Sequence, residues 1–226
     1  MKKILFCCLT VVLTIGSVAN LSAQVVYNSR TTYDLAHPIN YVIDFNNNGP
    51  AGTFYPGGLT ESTPFGNVTF DGIHAPPPDT GAVEALNANT FGIAGAGNFL
   101  IWVPGAQFLV DSLLVTLPAN SFSFGTDIVS PSQTVPEPYK FTIFSGSTVL
   151  DTVVSPSVYG SYTFFGFDSA TSPITSVAIQ LTNALGAPEP VIDNFTIVPE
   201  PATWSAGIGA AVVMLLAGRR IRGERA

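Results

Sequence analysis

The sequence predicts an all-β fold, a two-sheet jelly-roll-like sandwich, flanked by an N-terminal signal peptide and a single C-terminal transmembrane helix. From residue 24 onward, short runs rich in Val, Ile, Thr, Phe and Tyr alternate with Gly, Pro, Asn and Ser. No window of this body repeats apolar residues with a helical period over about ten residues. About ten short strands in about 175 residues indicate a sandwich, and an open barrel is the alternative.

Each predicted strand is a short apolar run bounded by turn-forming residues. The clearest pair is a hairpin over 141–153, joined at Ser145-Gly146-Ser147. Residues 74–80, with three consecutive prolines, indicate a loop, and 82–88 are compatible with a strand or a short turn of helix. The other predicted strands are 39–45, which ends at an Asn-rich turn, then 67–70, 99–103, 108–117, 161–167, 174–181 and 191–198.

The first 23 residues have the three parts of a secretory signal peptide. Two lysines precede an apolar run over 4–18, and small residues follow it. Cleavage is expected after Ala23, or alternatively after Ala19. Cys7 and Cys8, the two cysteines of the chain, lie inside the apolar run and are removed with it. The mature protein is therefore expected to lack disulfides and thiol nucleophiles.

The body over 24–197 has the size of one domain and is strongly acidic. Between Gln24 and Pro201 the basic residues are Arg30 and Lys140, against fourteen Asp and Glu, a net charge of −12. This charge argues against nucleic acid and against an anionic membrane surface as partners. It is compatible with an exported protein and with divalent cations, although a solvated acidic surface is the simpler interpretation.

Residues 198–226 form a segment of three parts. The motif Val198-Pro199-Glu200-Pro201 is followed by an apolar run over 202–218 and then by four arginines, Arg219, Arg220, Arg222 and Arg225. As a helix, the run is roughly 25 Å long, near the lower limit for crossing about 30 Å of hydrocarbon. The arginines place the C-terminus in the cytoplasm by the positive-inside rule. The segment is either a simple anchor or a processed sorting signal.

This three-part segment resembles the PEP-CTERM sorting signal of Gram-negative bacteria, which is also called an ice-binding-protein C-terminal domain. The resemblance implies that Pro199, Glu200 and Pro201 are recognised by an exosortase, a membrane protease-transpeptidase, while Arg219 and Arg220 hold the tail inside. Pro-Glu-Pro also occurs at 136–138 and 188–190, without a following apolar run and arginines. The resemblance implies secretion-machinery and exosortase partners, a transient anchor in the inner membrane, and delivery to the surface or medium.

The body is similar to the ectodomains of the same family. The similar motifs include Ile43-Asp44-Phe45, the 66–70 segment Gly-Asn-Val-Thr-Phe, and Ile192-Asp193-Asn194-Phe195 just before the sorting motif. The resemblance supports the sandwich and implies that the last strand ends where the sorting signal begins.

The sequence predicts a protein without catalytic activity. His37 and His74 are the two histidines, and neither an HExxH motif nor a GxSxG nucleophile elbow is present. Composition alone leaves a Ser-His-Asp triad open, and paired carboxylates are available for glycoside hydrolysis.

One metal site is hypothesised, and no other cofactor is expected. Asp44 lies in an early strand, and Asp193 and Asn194 lie in the last. If these strands are neighbours, their oxygens could share a structural calcium ion. The alternative is that the three residues cap turns or face solvent.

Two functions remain open. The first is a non-enzymatic surface or matrix protein, sorted by an exosortase and linked to exopolysaccharide or biofilm. The second is a secreted carbohydrate-binding module or carbohydrate-active enzyme with the same tail. Exposed aromatics on one sheet face, with Tyr159, Tyr162 and Trp102 as candidates, favour glycan binding, whereas two carboxylates about 5–9 Å apart in a groove favour hydrolysis.

Overall fold

The computed structural model describes residues 24–74, 80–87, 93, 97–103, 111–133, 137–182 and 190–199. They contain one short helix, α1 (Arg30–Ala36), and fourteen strands. The strands are β1 (Val25–Tyr27), β2 (Tyr41–Ile43), β3 (Thr53–Tyr55), β4 (Leu59–Thr63), β5 (Gly66–His74), β6 (Thr80–Asn87), β7 (Asn98–Val103), β8 (Asp111–Thr116), β9 (Ser121–Ile128), β10 (Tyr139–Ser145), β11 (Thr148–Ser155), β12 (Thr163–Asp168), β13 (Ser176–Leu181) and β14 (Val191–Pro199).

The strands form two antiparallel layers. The first sheet has the order β1-β12-β9-β14-β7-β6-β3, and β2 pairs with the second half of β14. The second sheet has the order β4-β5-β8-β13-β10-β11. A short pairing of β5 with β6 joins the two sheets. The prediction of an all-β sandwich is confirmed.

Aromatic side chains fill the space between the sheets. The Phe141 ring on β10 stacks on Phe165 of β12, with ring centroids 3.9 Å apart. Phe195 of β14 stacks on Phe124 and meets Phe70 of β5 edge-on. All five rings are fully or almost fully buried. Each such ring buries about 150–250 Å² of surface on folding. This burial stabilises the described body, which contains no disulfide.

Most predicted strands are present, with changed limits. The hairpin at 145–147 is confirmed as β10 and β11, and residues 82–87 of the ambiguous segment fall in β6. The strand predicted over 67–70 continues to His74, because its second half pairs with β8 and β6. Five elements were not predicted, namely β1, α1, β3, β4 and β9.

The two flanking segments lie outside the described residues. This applies to the predicted signal peptide over 1–23 and to the predicted transmembrane run over 202–218. Within the part of the chain that the structure describes, no helix is both long and apolar enough to cross a membrane.

Helix α1 covers the outer face of the first sheet, the face turned away from the second sheet. Its buried side chain, Tyr33, packs with Phe164 and Val198. The ring lies over Gly125 and Gly166, which face each other across β9 and β12. A Cβ atom on Gly166 would lie 2.7 Å from Tyr33 Cδ2 and 2.9 Å from Phe164 Cε1. The two glycines therefore create the space in which the helix docks.

We expect Gly166→Ala to destabilise the protein by about 1–3 kcal/mol, because an added methyl group overpacks this contact. At this chain length, about 1 kcal/mol corresponds to a shift of about 2–4 °C in Tm. Gly57→Ala is the matched control, since no atom lies within 4 Å of its Cβ position. Calorimetry that gives both variants the Tm of the unmodified protein would contradict the docking role of Gly166.

Candidate functional site

The outer face of the first sheet carries a network of charged and polar groups around Arg30. This residue begins α1, which Ser29 caps. Its Nε donates to Asp127 Oδ1 at 3.2 Å, and its Nη2 lies 3.2 Å from Asp127 Oδ2. Nη1 donates to Thr196 Oγ1 at 3.1 Å, and Nη2 donates to the Asn194 carbonyl at 2.8 Å. The guanidinium therefore joins α1 to both β9 and β14.

A bulge in β14 brings Asn194 into this network. The pairing of β14 with β9 shifts register between Asp193 and Thr196. Asn194 has a φ of 47°, a left-handed conformation that Asn tolerates better than most residues. Its Nδ2 donates to Asp127 Oδ2 at 2.9 Å. Both oxygens of Asp127 are thus bonded within the protein.

Asp193 is a second buried carboxyl group and lies directly opposite Asp127. It is 5% exposed. Its Oδ2 accepts from the Tyr162 hydroxyl and its Oδ1 accepts from the Asn194 backbone N–H, both at 2.7 Å. Burial raises the pKa of Asp193 to about 7, and the nearby negative charges of Asp127 and Asp44 act in the same direction.

The three residues of the hypothesised calcium site lie near one another. β2 pairs with β14, and Asp44 follows the end of β2. However, Asp193 is engaged by Tyr162 and Asn194, while the Asn194 amide is engaged by Asp127. Among the described residues, no group of three or more His, Cys, Asp or Glu side chains is arranged to hold a metal ion. The calcium site stays a prediction.

Two of the three predicted aromatic candidates lie on the outer face around Phe99. The Tyr162 ring is 5.6 Å from the Phe99 ring, and 38% of the residue is exposed. Tyr159 packs against the same small apolar cluster, and its hydroxyl accepts from Gln133 Nε2 at 3.0 Å. Trp102 lies opposite Val83 in the β6–β7 pairing, and its side chain lies outside the described part. We call Tyr159, Tyr162 and Phe99 the tyrosine platform.

The opposed carboxyl groups of Asp127 and Asp193 are poorly suited to glycoside hydrolysis. Two features would suit a glycosidase. Opposite residues in an antiparallel pair have Cβ atoms about 4.5–5.5 Å apart. A carboxyl group with a raised pKa, such as Asp193, can act as the general acid beside a second carboxylate that acts as the nucleophile. A nucleophile, however, needs a free oxygen facing the sugar. Arg30 and Asn194 occupy both oxygens of Asp127, and the residue is 6% exposed.

A Ser-His-Asp group is present under α1, but its geometry is not that of a catalytic triad. His37 Nε2 lies 2.9 Å from Asp168 Oδ1 and 3.4 Å from Ser123 Oγ. A triad needs the serine and the aspartate on different ring nitrogens. Ser123 is buried and bonded to the Tyr33 hydroxyl at 2.7 Å.

This group fastens the end of α1 to β12. Burial alone raises the pKa of Asp168, but hydrogen bonds from His37, Ser123 and Tyr27 outweigh it and lower the pKa. The carboxylate therefore stays charged and paired at neutral pH. His74 ends β5, and its side chain lies outside the described residues.

The residues of the predicted sorting motif lie at and beyond the end of the last strand. Pro199 is the final residue of β14, and Glu200, Pro201, Arg219 and Arg220 lie outside the described residues. In the internal copy at 136–138, Glu137 is 8% exposed and its carbonyl accepts from Ser157 Oγ. Pro136 of this copy, and Pro188 and Glu189 of the copy at 188–190, lie outside the described residues.

Comparison with known proteins finds broad similarity of architecture. No family model and no curated protein matches the chain. The K1 cleaved adhesin domain of Lys-gingipain from Porphyromonas gingivalis W83 has 13% identity and a TM-score of 0.45, covering 71% of this chain and 98% of that one. The CBM22-1 xylan-binding domain of Paenibacillus barcinonensis Xyn10C has 10% identity and a TM-score of 0.40, covering 67% and 97%. At these values the similarity carries no argument about function.

Sequence reasoning identified Asp193, Asn194 and Tyr162 but missed their partners Arg30 and Asp127. Arg30 lies 97 residues from Asp127 and 164 from Asn194 along the chain. One signal was available, since Arg30 is one of two basic residues in an acidic body. Such a cation has many carboxylates as potential partners, so the fold determines which carboxylate it pairs with.

The raised pKa of Asp193 predicts that stability falls as pH rises from about 4 to about 7. In this window the folded state holds a proton that the unfolded chain has released, so the slope reaches about 1.4 kcal/mol per pH unit. Asp193→Asn mimics the protonated form and removes this slope. We expect the variant to match the unmodified protein near pH 4.5 and to exceed it in stability at pH 8. Parallel urea-unfolding profiles for the two proteins across this range would refute the assignment.

Proposed function

We propose that this protein is an exported, non-enzymatic β-sandwich that binds a neutral extracellular polysaccharide on the tyrosine platform. The observation that carries the proposal is Tyr162, a partly exposed ring whose hydroxyl is fixed by the buried carboxyl of Asp193 at 2.7 Å. An aromatic ring held in one orientation offers a flat apolar surface to the C–H face of a sugar ring.

Preorganisation of the platform supports binding. Both tyrosine hydroxyls are bonded, Tyr162 to Asp193 and Tyr159 to Gln133. The Tyr162 ring also lies against Phe99, which is fully buried, and Tyr159 packs against the apolar cluster that Phe99 forms with Val129 and Val191. Because these side chains are already ordered, binding of a ligand costs little conformational entropy at the site.

The charge around the platform favours an uncharged glycan. Asp127 is neutralised by Arg30, whereas Asp44 is exposed and adds to the negative field at Asp193. The body as a whole carries a net charge of −12 between Gln24 and Pro201. A polyuronate or a sulfated polymer is therefore repelled, while a neutral polymer is not.

We further propose that residues 198–226 sort the protein to the cell surface or matrix through an exosortase, after transient anchoring in the inner membrane. Three features support this proposal. The motif begins in the last two residues of β14, Val198 and Pro199, an apolar run and arginines come next, and Glu137 of the internal copy at 136–138 is buried. A matrix location fits a protein that binds exopolysaccharide.

Loss of the platform ring should weaken glycan binding. We expect Tyr162→Ala to weaken binding to a neutral polysaccharide such as xylan or mixed-linkage glucan at least about tenfold, a loss of about 1.4 kcal/mol. Tyr162→Phe keeps the ring and should retain most of the affinity. Tyr41→Ala is the matched control, because Tyr41 is similarly exposed at 36% but lies on β2.

Affinity electrophoresis and a glycan array measure these effects. An absence of binding across neutral and acidic glycans would remove the polysaccharide proposal. Equal weakening by Tyr162→Ala and Tyr41→Ala would remove the platform as the site. Preference for a polyuronate would contradict the charge argument.

The sorting proposal predicts that Glu200→Ala, or deletion of residues 219–226, leaves an unprocessed protein in the inner membrane or mislocalises it. Glu189→Ala alters another Pro-Glu-Pro copy and should sort normally. Cell fractionation and mass spectrometry of the C-terminus, in a host that has an exosortase, give the readout. Sorting fails as an explanation if the altered proteins reach the surface with the same C-terminus as the unmodified one.

A further inference from the structure

Exposed apolar side chains are concentrated on the segment that joins α1 to β2. Leu35 is 79% exposed, Ile39 46%, Val42 41% and Tyr41 36%. Asn40 Nδ2 donates to Asp34 Oδ1 at 3.3 Å and to the His37 carbonyl at 3.1 Å, which fastens this segment to the end of the helix. We call these four residues, Leu35, Ile39, Tyr41 and Val42, the α1–β2 patch.

The patch lies where the chain leaves the sandwich. β2 pairs with the second half of β14, with Tyr41 opposite Ile197 and Val42 opposite Thr196. β14 ends at Pro199, two residues beyond Ile197. At about 3.3 Å per residue, the end of the strand is therefore about 7 Å from the level of Tyr41.

The sequence after the strand limits how far the patch can be from a membrane. Only Glu200 and Pro201 separate β14 from the apolar run that begins at Ala202. Two extended residues span at most about 7 Å. The polar headgroup layer on each side of the hydrocarbon is itself about 5–7 Å thick. If the run crosses the bilayer, this end of the sandwich lies at the headgroups.

We propose that the α1–β2 patch is a membrane seat, which rests on the non-cytoplasmic bilayer surface while the tail is anchored. This inference rests on the proposed membrane-spanning tail. The seat has the chemistry of an interfacial surface, since it offers aliphatic side chains and a tyrosine. It contains neither Lys nor Arg, so apolar burial rather than attraction to anionic lipids holds it. The acidic body is thereby kept at a fixed orientation despite its charge.

The bilayer is favoured over two other occupants. A second copy of this chain would have to bring an equally acidic body, with its net charge of −12, against the first. The chain's own apolar run would have to reverse direction within two residues, of which Pro201 fixes its φ. The bilayer requires neither.

Single labelled cysteines test the seat, because the chain has cysteines only at positions 7 and 8. In a Cys7→Ser, Cys8→Ser background, Leu35→Cys and Ile39→Cys carry an environment-sensitive fluorophore. Val158→Cys is the control, because Val158 is 52% exposed and bonds Ser130 beyond the far end of β9, about 20 Å from the level of Tyr41. The protein, with residues 198–226 retained, is produced in a host that lacks an exosortase. It is then reconstituted into phosphatidylcholine vesicles whose headgroups carry a nitroxide label.

We expect blue-shifted emission and at least about threefold stronger nitroxide quenching at positions 35 and 39 than at 158, unchanged in 1 M salt. Vesicle flotation without such quenching overturns the seat and leaves the tail proposal intact. Failure to float overturns both, and neither result bears on glycan binding.

The other occupants give different results, and each would refute the seat. A blue shift that depends on protein concentration and escapes quenching indicates a second copy. A shift that persists on dilution, escapes quenching and disappears when residues 202–226 are deleted indicates the chain's own tail.

Discussion

The partly buried ion pair of Arg30 and Asp127 is the interaction that links the elements of the outer face. Arg30 starts α1, Asp127 lies in the middle of the first sheet, and the same guanidinium bonds the backbone of the β14 bulge at Asn194. It also lies 4.7 Å above the Phe164 ring, which packs under the helix. Breaking a fully buried pair typically costs about 3–5 kcal/mol because the remaining charge is left unpaired, and the cost here is smaller because the Arg30 side chain is 26% exposed. The start of α1 and the β14 bulge next to Asp193 are therefore both held by this guanidinium.

The parts of the fold that local chemistry determines could be predicted from the sequence. The β10–β11 hairpin was predicted because Ser145-Gly146-Ser147 supplies a turn, and Gly146 has a φ of 58°. β9 was missed because its outward residues are small or polar, including Ser123, Gly125 and Asp127, although α1 and the Arg30 network cover them. That pattern is explained only by the helix that packs on it. Helix α1 was missed because seven residues with one buried side chain have no readable period.

The sequence indicated individual residues of the candidate site but not how they contact one another. Asp193 and Asn194 stand out in the last strand, and Tyr159 and Tyr162 are aromatics in a β-rich body. Their chemistry, however, depends on neighbours that are remote in sequence. The pKa of Asp193 is raised because β9 and β14 pair in a register that opposes it to Asp127 and buries both. The Asp193 carboxyl accepts a hydrogen bond from the Tyr162 hydroxyl, a contact that the sequence did not predict.

One strand connects the two proposed contacts of the protein. β14 begins at Val191, which packs with Phe99 of the tyrosine platform, and it ends at Pro199 near the proposed membrane seat. Along this length it pairs with β9 from Ile192 to Pro199. Antiparallel hydrogen bonds lie perpendicular to the strands, so a pull along β14 loads them together in shear rather than one at a time. On the proposed arrangement, tension between an anchored tail and a bound polymer therefore acts along the pairing of β14 with β9. Arg30 also links these two strands, through Asp127 on β9 and Asn194 on β14.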